Sequence, residues 1–194
     1  MIRSLLLVSL LAGGLWQIGQ GGLVQVKALM GQLLLERAFA AADADEPVQI
    51  PWPGALSHPV ARLHLPDRGI RRLVLDGANS PVLAWGPGME SGPNGHHLIA
   101  AHRDTHFRFL EHVEPGETMS VEWVDGSVEH WRVAEREVVD SRTTAIDMGL
   151  EADQLTLVTC YPFTATTSGG PLRLVLTLTP ENGPLTTDHR LPKK

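Results

Sequence analysis

Short strand-like runs separated by turns occupy the chain from residue 59 onward, and this pattern constrains the fold most. The strongest case is a hairpin, in which MSVEWV and SVEHWRV flank an Asp125-Gly126 pair typical of a tight type I′ turn. Two short helical segments are predicted in this part, within THFRFLEHV and TTAIDMGL. The other strand-like runs are ARLHLPD, RRLVLDG, HLIAAH, LTLVTCY and LRLVLTLT. Many short strands with few helices predict a mostly β fold, either a closed barrel or a sandwich.

The composition fits one globular domain with an appendage and excludes several functions. The chain has 194 residues, of which 43% are apolar, so a sizeable core can be buried. Its net charge is −6 and it has no long Lys/Arg run, which leaves no electrostatic footprint for binding nucleic acid. Its single cysteine excludes an intramolecular disulfide and a zinc site built on several thiolates.

The N-terminal segment predicts a membrane anchor over residues 1–22. Arg3 precedes an apolar run from Leu5 to about Ile18, which is near the lower length limit for a spanning helix and contains Gly13 and Gly14. Arg3 on the short side predicts a cytoplasmic N-terminus, a single pass through the inner membrane and a domain on the periplasmic, extracytoplasmic side. The alternative is a cleaved signal peptide, although the small residues suited to cleavage come late, at 40–42.

Residues 23–54 are predicted to connect this anchor to the β domain. An amphipathic helix is expected over 23–42, because Leu23, Val26, Met30, Leu33 and Leu34 can share one face. The segment 42–54 is acidic and rich in proline, which is typical of a linker. These boundaries leave the β domain at 55–182 and a C-terminal tail at 183–194.

Cys160 is the first candidate for chemistry. It ends the run LTLVTC and precedes Tyr161-Pro162, and because proline cannot donate to a strand ladder, the strand should stop there. The thiol would then lie at a strand end that borders a loop-lined cleft. The alternative is a structural role, since free cysteines are often small buried hydrophobes.

Histidines supply the group that a reactive thiol needs. They cluster in one stretch, at His96, His97, His102, His106 and His112. His102 ends the apolar run HLIAAH and begins the polar turn RDTHF, so it is predicted to leave a strand end as Cys160 does. A thiol with a pKa of about 8.5 is mostly protonated at neutral pH, and an imidazole with a pKa near 6.5 can take its proton. The pair indicates nucleophilic acyl transfer.

Arg173 is the candidate donor to the oxyanion that develops in acyl transfer. It lies inside the apolar run PLRLVLTL, where a buried guanidinium is costly unless it faces a site or a carboxylate. The alternative is an outward-facing side chain on an alternating strand.

The segments that carry these residues resemble sortases, a family of cysteine transpeptidases. TLVTC resembles the family's TLxTC motif, IAAHRDTHF resembles its GHRDTxF segment, and the arginine in LRLVL, about a dozen residues past the cysteine, resembles its third active-site residue. LAWGPGMESGPNGHHLIAAHRDTHF resembles the corresponding stretch of class D and E sortases, and the short acidic chain with its anchor resembles the sortases of Gram-negative proteobacteria. The resemblance covers roughly residues 55–180, and it departs from the family at Ala101, where a glycine is usual.

The resemblance implies a closed eight-stranded barrel and assigns roles to individual residues. Cys160 would form an acyl-thioester, His102 would act as acid and base, and Arg173 would stabilise the oxyanion and orient the substrate. The residues expected to line or support the cleft are Thr159, Ala101, Asp104, Thr105 and Tyr161. The expected partners are a target protein with a C-terminal LPxTG-like sorting signal and an amine acceptor, which water replaces in hydrolysis. No cofactor and no metal are implied.

Two other functions fit parts of the sequence. The first is a His-rich metal-binding domain, because three residues separate His102 from His106, a metal-ligand spacing when it lies on a helix. The second is a non-catalytic, membrane-tethered β domain that binds a partner through aromatic residues such as Trp85, Trp123 and Trp131. Rapid alkylation of Cys160 with loss of peptide cleavage would favour the enzyme.

Overall fold

The structure of the protein is a computed structural model that describes residues 2–43, 45–46, 48–149, 153–167 and 169–181. In the first helix, the side chains of residues 2–9, 15 and 18 are outside this description. The tail predicted at 183–194 also lies outside the described residues.

Eight strands close into a barrel. They are β1 (Pro59–Leu65), β2 (Ile70–Asp76), β3 (Gly88–Ser91), β4 (His97–Ala100), β5 (Thr118–Trp123), β6 (Val128–Asp140), β7 (Leu155–Cys160) and β8 (Leu172–Pro180). Their order around the barrel is β1-β2-β3-β4-β7-β8-β6-β5, and β5 pairs with β1 to close it. Neighbouring strands are antiparallel, except that β2 runs parallel to β3 and β4 runs parallel to β7. The predicted closed eight-stranded barrel is therefore confirmed.

Alternation of side chains explains why these runs form a barrel. Half-buried and buried residues alternate along β5, and exposed and buried residues alternate along the first half of β6. This period of two sends every second side chain inward, where they pack into one core. Each strand contributes to this core, for example through Leu63, Val74, Met89, Ile99, Val121, Trp131, Leu157 and Leu176.

The hairpin between β5 and β6 forms as predicted, but its turn differs. Gly126 has a φ of 81° and donates its N–H to the Trp123 carbonyl at 3.0 Å. Asp125 does not share the positive φ that a type I′ turn needs at both central positions. Its carboxylate instead accepts from the backbone N–H of Ser127 at 2.9 Å, and Trp123 pairs with Ser127 across a three-residue loop. The predicted type I′ turn is therefore wrong.

Four short elements are not predicted by the sequence, namely two 3₁₀ helices, Pro66–Arg68 and Pro93–Gly95, together with β3 and the helix α2 (Ser80–Leu83). β3 has only four residues, and α2 is a single turn capped by the Asn79 side chain. Gly88 starts β3 and lies so close to the Gly77 carbonyl that a Cβ there would collide with it. A close approach of this kind depends on the tertiary fold, so local patterns do not reveal it.

The two helical segments predicted within the β domain have different outcomes. THFRFLEHV contains a short 3₁₀ helix at Arg108–His112. TTAIDMGL is not helical over its described residues, 143–149, and this prediction is wrong. The N–H groups of Thr143 and Thr144 donate to the Asp140 carbonyl at 3.0 and 2.9 Å, so the chain makes a turn at the end of β6 instead.

A single helix, α1 (Ile2–Ala41), spans the segments predicted as anchor and amphipathic helix. Its last turns pack on the outside of the barrel, where Leu35 and Phe39 form a second cluster with Leu73, Leu75 and Val82. The residues expected to form its apolar face are mostly exposed, namely Leu23, Val26, Met30 and Leu33. Among its described side chains, α1 therefore contacts the barrel through a different face, near its C-terminal end.

The helix expected to cross the membrane at 1–22 finds no support in this structure. In the part of the chain described here, no helix combines the length and the apolar character that a bilayer crossing requires.

Candidate active site

Two parallel strands bring the predicted nucleophile and base to the same rim of the barrel. β4 and β7 pair in parallel register, which places Ala100 opposite Val158. The pairing continues past the end of β4, because the N–H of Ala101 donates to the Val158 carbonyl at 3.2 Å. His102 and Cys160 each follow the last paired residue of their strand by two positions. The sheet therefore delivers both residues to one rim.

Cys160 is the last residue of β7 and is half-buried. It lies opposite Arg173 in β8, and the following residue, Tyr161, still donates its N–H to the Leu172 carbonyl at 3.0 Å. β7 ends before Pro162, as the sequence predicts. Because β4 and β8 flank β7 on its two sides, a rigid sheet presents the thiol to the rim.

Thr159 joins the two strand ends. Its hydroxyl donates to the Ala101 carbonyl at 2.8 Å, and both residues are buried. This bond lies directly before Cys160 on one strand and directly before His102 on the other. The two residues expected to support the cleft therefore occupy the junction between the proposed reactive groups.

His102 is exposed and opens a closed turn. Its carbonyl accepts from the N–H of Phe107 at 3.1 Å, and the Phe107 ring is fully buried in the barrel core. The core thus fixes the backbone of the turn, while the imidazole remains accessible to an incoming group. Thr105, expected to support this turn, is exposed within it.

Arg103 is a residue that sequence reasoning missed. Its side chain is only 6% exposed, although it directly follows His102. The guanidinium donates to the Pro162 carbonyl at 2.6 Å and to the Ala165 carbonyl at 3.0 Å, both in the loop after Cys160. The only signal in the sequence is the arginine of the HRD triplet itself. This side chain ties the turn after His102 to the loop after Cys160.

Asp104 holds Arg103 in this position. Its carboxylate accepts from Nε of Arg103 at 2.9 Å and from Nη2 at 3.3 Å. This hydrogen bond raises the pKa of Arg103, as does the charge of Asp104, against the effect of burial. The same bond lowers the pKa of Asp104. Asp104, predicted as a support, therefore acts through Arg103, which stays charged.

Arg173 lies across the strand pair from Cys160 and is half-buried. Its Nη1 donates to the carbonyls of Gly170 and Leu172 at 2.6 and 2.8 Å. The loop before β8 thus holds the guanidinium through neutral acceptors. A cation held in this way beside the strand of Cys160 is free to exchange a carbonyl partner for another oxygen acceptor.

The clustered histidines have separate environments. His96 is buried with Nε2 2.9 Å from the Thr156 hydroxyl, and His97 is buried with Nδ1 2.9 Å from the Ser91 hydroxyl. Residues 103–107 form a turn, so His102 and His106 do not share a helical face. Among the described residues, no group of three or more His, Cys, Asp or Glu side chains is arranged to hold a metal ion.

The aromatic residues considered for partner binding are mostly in the core. Trp123 and Trp131 are buried, and Trp85 packs against Trp52 with ring centroids 4.9 Å apart. Tyr161, expected near the cleft, is half-buried and lies edge-on to Phe163 at 6.3 Å. These contacts give the tryptophans structural roles in the barrel and beneath α1.

Comparison with known proteins connects this arrangement to a family. A sortase domain model matches residues 63–181, which is more than half of the chain. A lid mutant of sortase A from Corynebacterium diphtheriae has a similar structure, with 18% identity and a TM-score of 0.56 over 84% of this chain and 95% of that chain. Sortase C from Clostridium perfringens, solved with the C-terminal cell wall sorting motif, has 16% identity and a TM-score of 0.55 over 80% and 90%.

A Clostridium perfringens sortase D5 transpeptidase is also similar, with 20% identity and a TM-score of 0.52 over 63% of this chain and 79% of that chain. A search of curated proteins found no match. At these identities the structural likenesses establish the fold, and sortases of types A, C and D all share it. The matched domain model extends over nearly the whole barrel, including the strand ends with Cys160 and His102, and this chain belongs to the sortase family.

Proposed function

We propose that this protein is a cysteine transpeptidase that cleaves a C-terminal sorting peptide and transfers the acylated target to an amine. The observation that most supports this proposal is the parallel pairing of β4 and β7, whose ends carry His102 and Cys160 to one rim. Arg173 supplies a cation opposite Cys160 on the adjacent strand. The chain has a single cysteine, so a thioester intermediate can form only at Cys160.

The first half-reaction forms a thioester. The Cys160 thiolate attacks the carbonyl carbon of the scissile peptide bond, and a C–S bond forms. Arg173 and backbone N–H groups stabilise the resulting oxyanion, each such donor contributing roughly 3 kcal/mol in comparable sites. His102, as imidazolium, protonates the leaving amine, and the C–N bond breaks.

The second half-reaction resolves the thioester. An acceptor amine attacks the thioester carbonyl, and His102 takes its proton as a base. The C–S bond breaks and the thiolate returns. Water in place of the amine gives hydrolysis of the target.

Arg173 must change partners for this role. Its guanidinium now donates to the Gly170 and Leu172 carbonyls, both neutral acceptors. A developing oxyanion accepts a stronger hydrogen bond than a neutral carbonyl, so we expect Arg173 to release one carbonyl during the reaction. Hydrogen bonds of this kind often reach their final geometry only when substrate is present.

The proposed substrate is an LPxTG-like C-terminal sorting peptide. The structurally similar Clostridium perfringens sortase C was solved with the C-terminal cell wall sorting motif, which supports a peptide of this type as the ligand. Tyr161 is proposed to border the path of such a peptide, Thr159 and Ala101 to hold the two strand ends beneath it, and Thr105 to support the turn after His102.

We also propose that α1 associates with a membrane. Its exposed apolar side chains include Leu10, Leu11, Trp16, Leu29 and Met30. Apolar side chains of this type bury readily at the interface between lipid headgroups and acyl chains. Co-sedimentation of the full chain with phospholipid vesicles tests this, and binding that survives replacement of Leu29 and Met30 by serine would argue against these side chains as the contact.

The catalytic proposal is tested by trapping the intermediate. Incubation of the full chain with an LPxTG-like peptide should give a Cys160 adduct in mass spectrometry that carries the N-terminal part of the peptide. Cys160→Ala should give neither adduct nor cleavage. Cleavage by Cys160→Ala at the wild-type rate would rule the mechanism out.

The role of His102 is tested with a matched histidine. His102→Gln should lower the cleavage rate by roughly 10²- to 10⁴-fold, the usual contribution of a general acid and base. His112→Gln is the control, because His112 is also exposed but lies at the end of a 3₁₀ helix away from the strand end. Equal losses in the two variants would contradict the assignment.

A further inference from the structure

A cavity of about 360 Å³ opens beside the turn that follows His102. It lies between α1, β2 and this turn. Its lining residues are Gln32, Glu36, Arg71, Arg72, Leu73, Gly86, Thr105 and His106. Thr105 and His106 follow His102 by three and four residues, so the cavity adjoins the proposed active site without including Cys160.

The cavity has an excess of positive charge. Among the described residues, neither Arg71 nor Arg72 forms a salt bridge, and Arg72 donates to the Arg71 carbonyl at 2.8 Å. Glu36 is the one carboxylate in the lining, and it accepts from Nη2 of Arg62 at 2.6 Å. Arg62 also binds Glu122, so it does not cancel the charge of Glu36 alone. The two arginines of β2 still outnumber the one carboxylate of the lining, and Glu36 is oriented toward Arg62.

The other polar lining groups are suited to the same kind of ligand. Thr105 offers a hydroxyl, and His106 offers an imidazole that is half-buried. Burial lowers the pKa of His106, and the charges of Arg72 and His102 lower it further. The positive field that disfavours the imidazolium favours an anion in the same space.

We propose that this cavity binds the carboxylate of the acceptor amine. The inference rests on the proposed transpeptidation. In the second half-reaction the amine must approach both His102 and the thioester, and a carboxylate held between Arg71, Arg72 and Thr105 would bring it in from the side of the turn. Guanidinium groups recognise carboxylates well because their paired N–H groups match two oxygens. The acceptor is then an amine that carries a carboxylate, such as an amino acid or a peptide with a free C-terminus.

The first experiment tests anion binding without catalysis. Inorganic phosphate is titrated into the full chain, and NMR follows the imidazole of His106 at several pH values. Bound phosphate should raise the pH at which His106 titrates, in a saturable way, because it offsets the charge of Arg72. The effect should disappear in Arg71→Gln/Arg72→Gln and persist in Arg142→Gln, whose arginine pairs with Asp140 elsewhere on the surface. No change in His106 in the wild-type protein would overturn the proposal.

The second experiment tests whether the anion that the cavity binds is the carboxylate of the acceptor amine. Cys160 is first loaded with an LPxTG-like peptide, and the thioester is then resolved by a glycine peptide with either a free C-terminal carboxylate or a C-terminal amide. The wild-type protein should use the carboxylate form about tenfold more efficiently, the effect of one charge-assisted hydrogen bond. Arg71→Gln/Arg72→Gln should use the two acceptors with equal efficiency, even if both reactions become slower. Arg142→Gln should keep the preference for the carboxylate form.

The outcomes separate the two proposals. If no thioester forms, the proposed function fails, and the phosphate titration still shows whether the cavity binds anions. If the thioester forms and the wild-type protein uses both acceptors equally, the acceptor assignment is overturned. Phosphate binding combined with equal use of the acceptors would assign the cavity to another anion, either free or on a lipid headgroup, which vesicles with and without anionic lipid would distinguish.

Discussion

Arg103 shows how one side chain can connect two halves of a site. A buried guanidinium is stable only when its donors are satisfied, and here they bind one carboxylate and two backbone carbonyls. The carbonyls belong to Pro162 and Ala165, just beyond the proposed nucleophile, whereas Arg103 itself follows the proposed base. The distance between Cys160 and His102 therefore depends on Arg103 as well as on the barrel.

Replacing Arg103 should lower the rate of peptide cleavage more than it affects substrate binding. We expect Arg103→Gln to reduce kcat by roughly 10- to 100-fold, because small displacements of reacting groups are costly, with little change in KM. Arg103→Lys should recover part of the loss, since an ammonium can still bind one of the carbonyls. Steady-state kinetics with an LPxTG-like peptide measure both parameters.

Arg68 provides a matched control for this experiment. It also binds a carboxylate, that of Glu117, and a backbone carbonyl, that of His112 at 2.6 Å, but it is not part of the proposed site. Arg68→Gln should leave kcat near the wild-type value. If both glutamine variants lose the same activity, Arg103 has only a general structural role.

The stability of the protein should depend on pH through His106. Burial, Arg72 and His102 lower its pKa in the folded state below the ordinary value of 6.5. The unfolded chain therefore binds the proton more readily, so stability is full above pH 6.5 and falls as the pH drops through the folded-state pKa. His106→Asn should flatten the decrease in unfolding free energy between about pH 7 and 5, measured by urea denaturation. An unchanged slope would contradict this.

The sequence predicts the positions of Cys160 and His102 because local signals mark both. Pro162 stops β7, and the change from HLIAAH to RDTHF marks the end of β4. Apart from the carboxylate of Asp104, the partners of Arg103 and Arg173 are backbone carbonyls, which have no sequence signature. Those of Arg103 also lie 59 and 62 residues away, so only the fold reveals them.

At the scale of elements, α1 shows that the apolar pattern of a helix does not by itself reveal which side packs on the rest of the protein. Apolar residues occur on several sides of this helix, so its pattern allows more than one contact face. The shape of the surface beneath α1 decides which side of the helix makes contact. At Gly31 a Cβ would collide with the Trp85 ring, and the nearby Gln32 donates to the Trp85 carbonyl at 2.7 Å.

Alanine substitutions at two nearby leucines of α1 should therefore lower the free energy of unfolding by very different amounts. Leu35 is 1% exposed and Leu33 is 64% exposed. Leu35→Ala should lower the free energy of unfolding by about 2–5 kcal/mol, since it removes buried methyl groups and leaves a cavity. Leu33→Ala should change it by less than about 0.5 kcal/mol. Chemical denaturation compares them, and similar values would show that α1 does not pack as described.

The sequence predicts every strand of the barrel except β3. The other seven strands each overlap a predicted strand-like run, although β6 extends to Asp140, well past its run. β3 and α2 have four residues each, too few to show a period, and their places are set by neighbours. The β5–β6 turn differs because Asp125 uses its side chain to satisfy a backbone N–H.

At the scale of the whole molecule, Arg62 joins α1 to two strands of the barrel. From β1, it donates to Glu36 of α1 at 2.6 Å and to Glu122 of β5 at 3.0 Å. Its guanidinium also lies 4.2 Å from the centre of the Phe39 ring. The side chain is only 11% exposed, so these interactions are shielded from solvent more than a typical surface pair.

Loss of this connection should loosen α1 before it affects the barrel. We expect Arg62→Met, which keeps an apolar stem against Phe39, to lower stability by about 1–2 kcal/mol. Limited proteolysis should then cut the acidic segment after α1 faster, while the barrel fragment stays resistant. Arg142→Met, which removes a surface pair with Asp140, is the control. Equal cleavage rates in the two variants would show that Arg62 does not retain α1.

The parallel pairing of β4 with β7 also has a consequence for how the chain could be divided. His102 and Cys160 are adjacent in the sheet but far apart in sequence, and the connection from Ser141 to Gly149 lies between them. A cut there would leave one proposed reactive group on each fragment, with β7 and β8 together on the second. Neither fragment could form and resolve a thioester alone, so peptide cleavage would report their reassembly. The barrel thus offers a natural design for a two-fragment reporter, in which the paired strands β7 and β8 insert between β4 and β6 to restore activity.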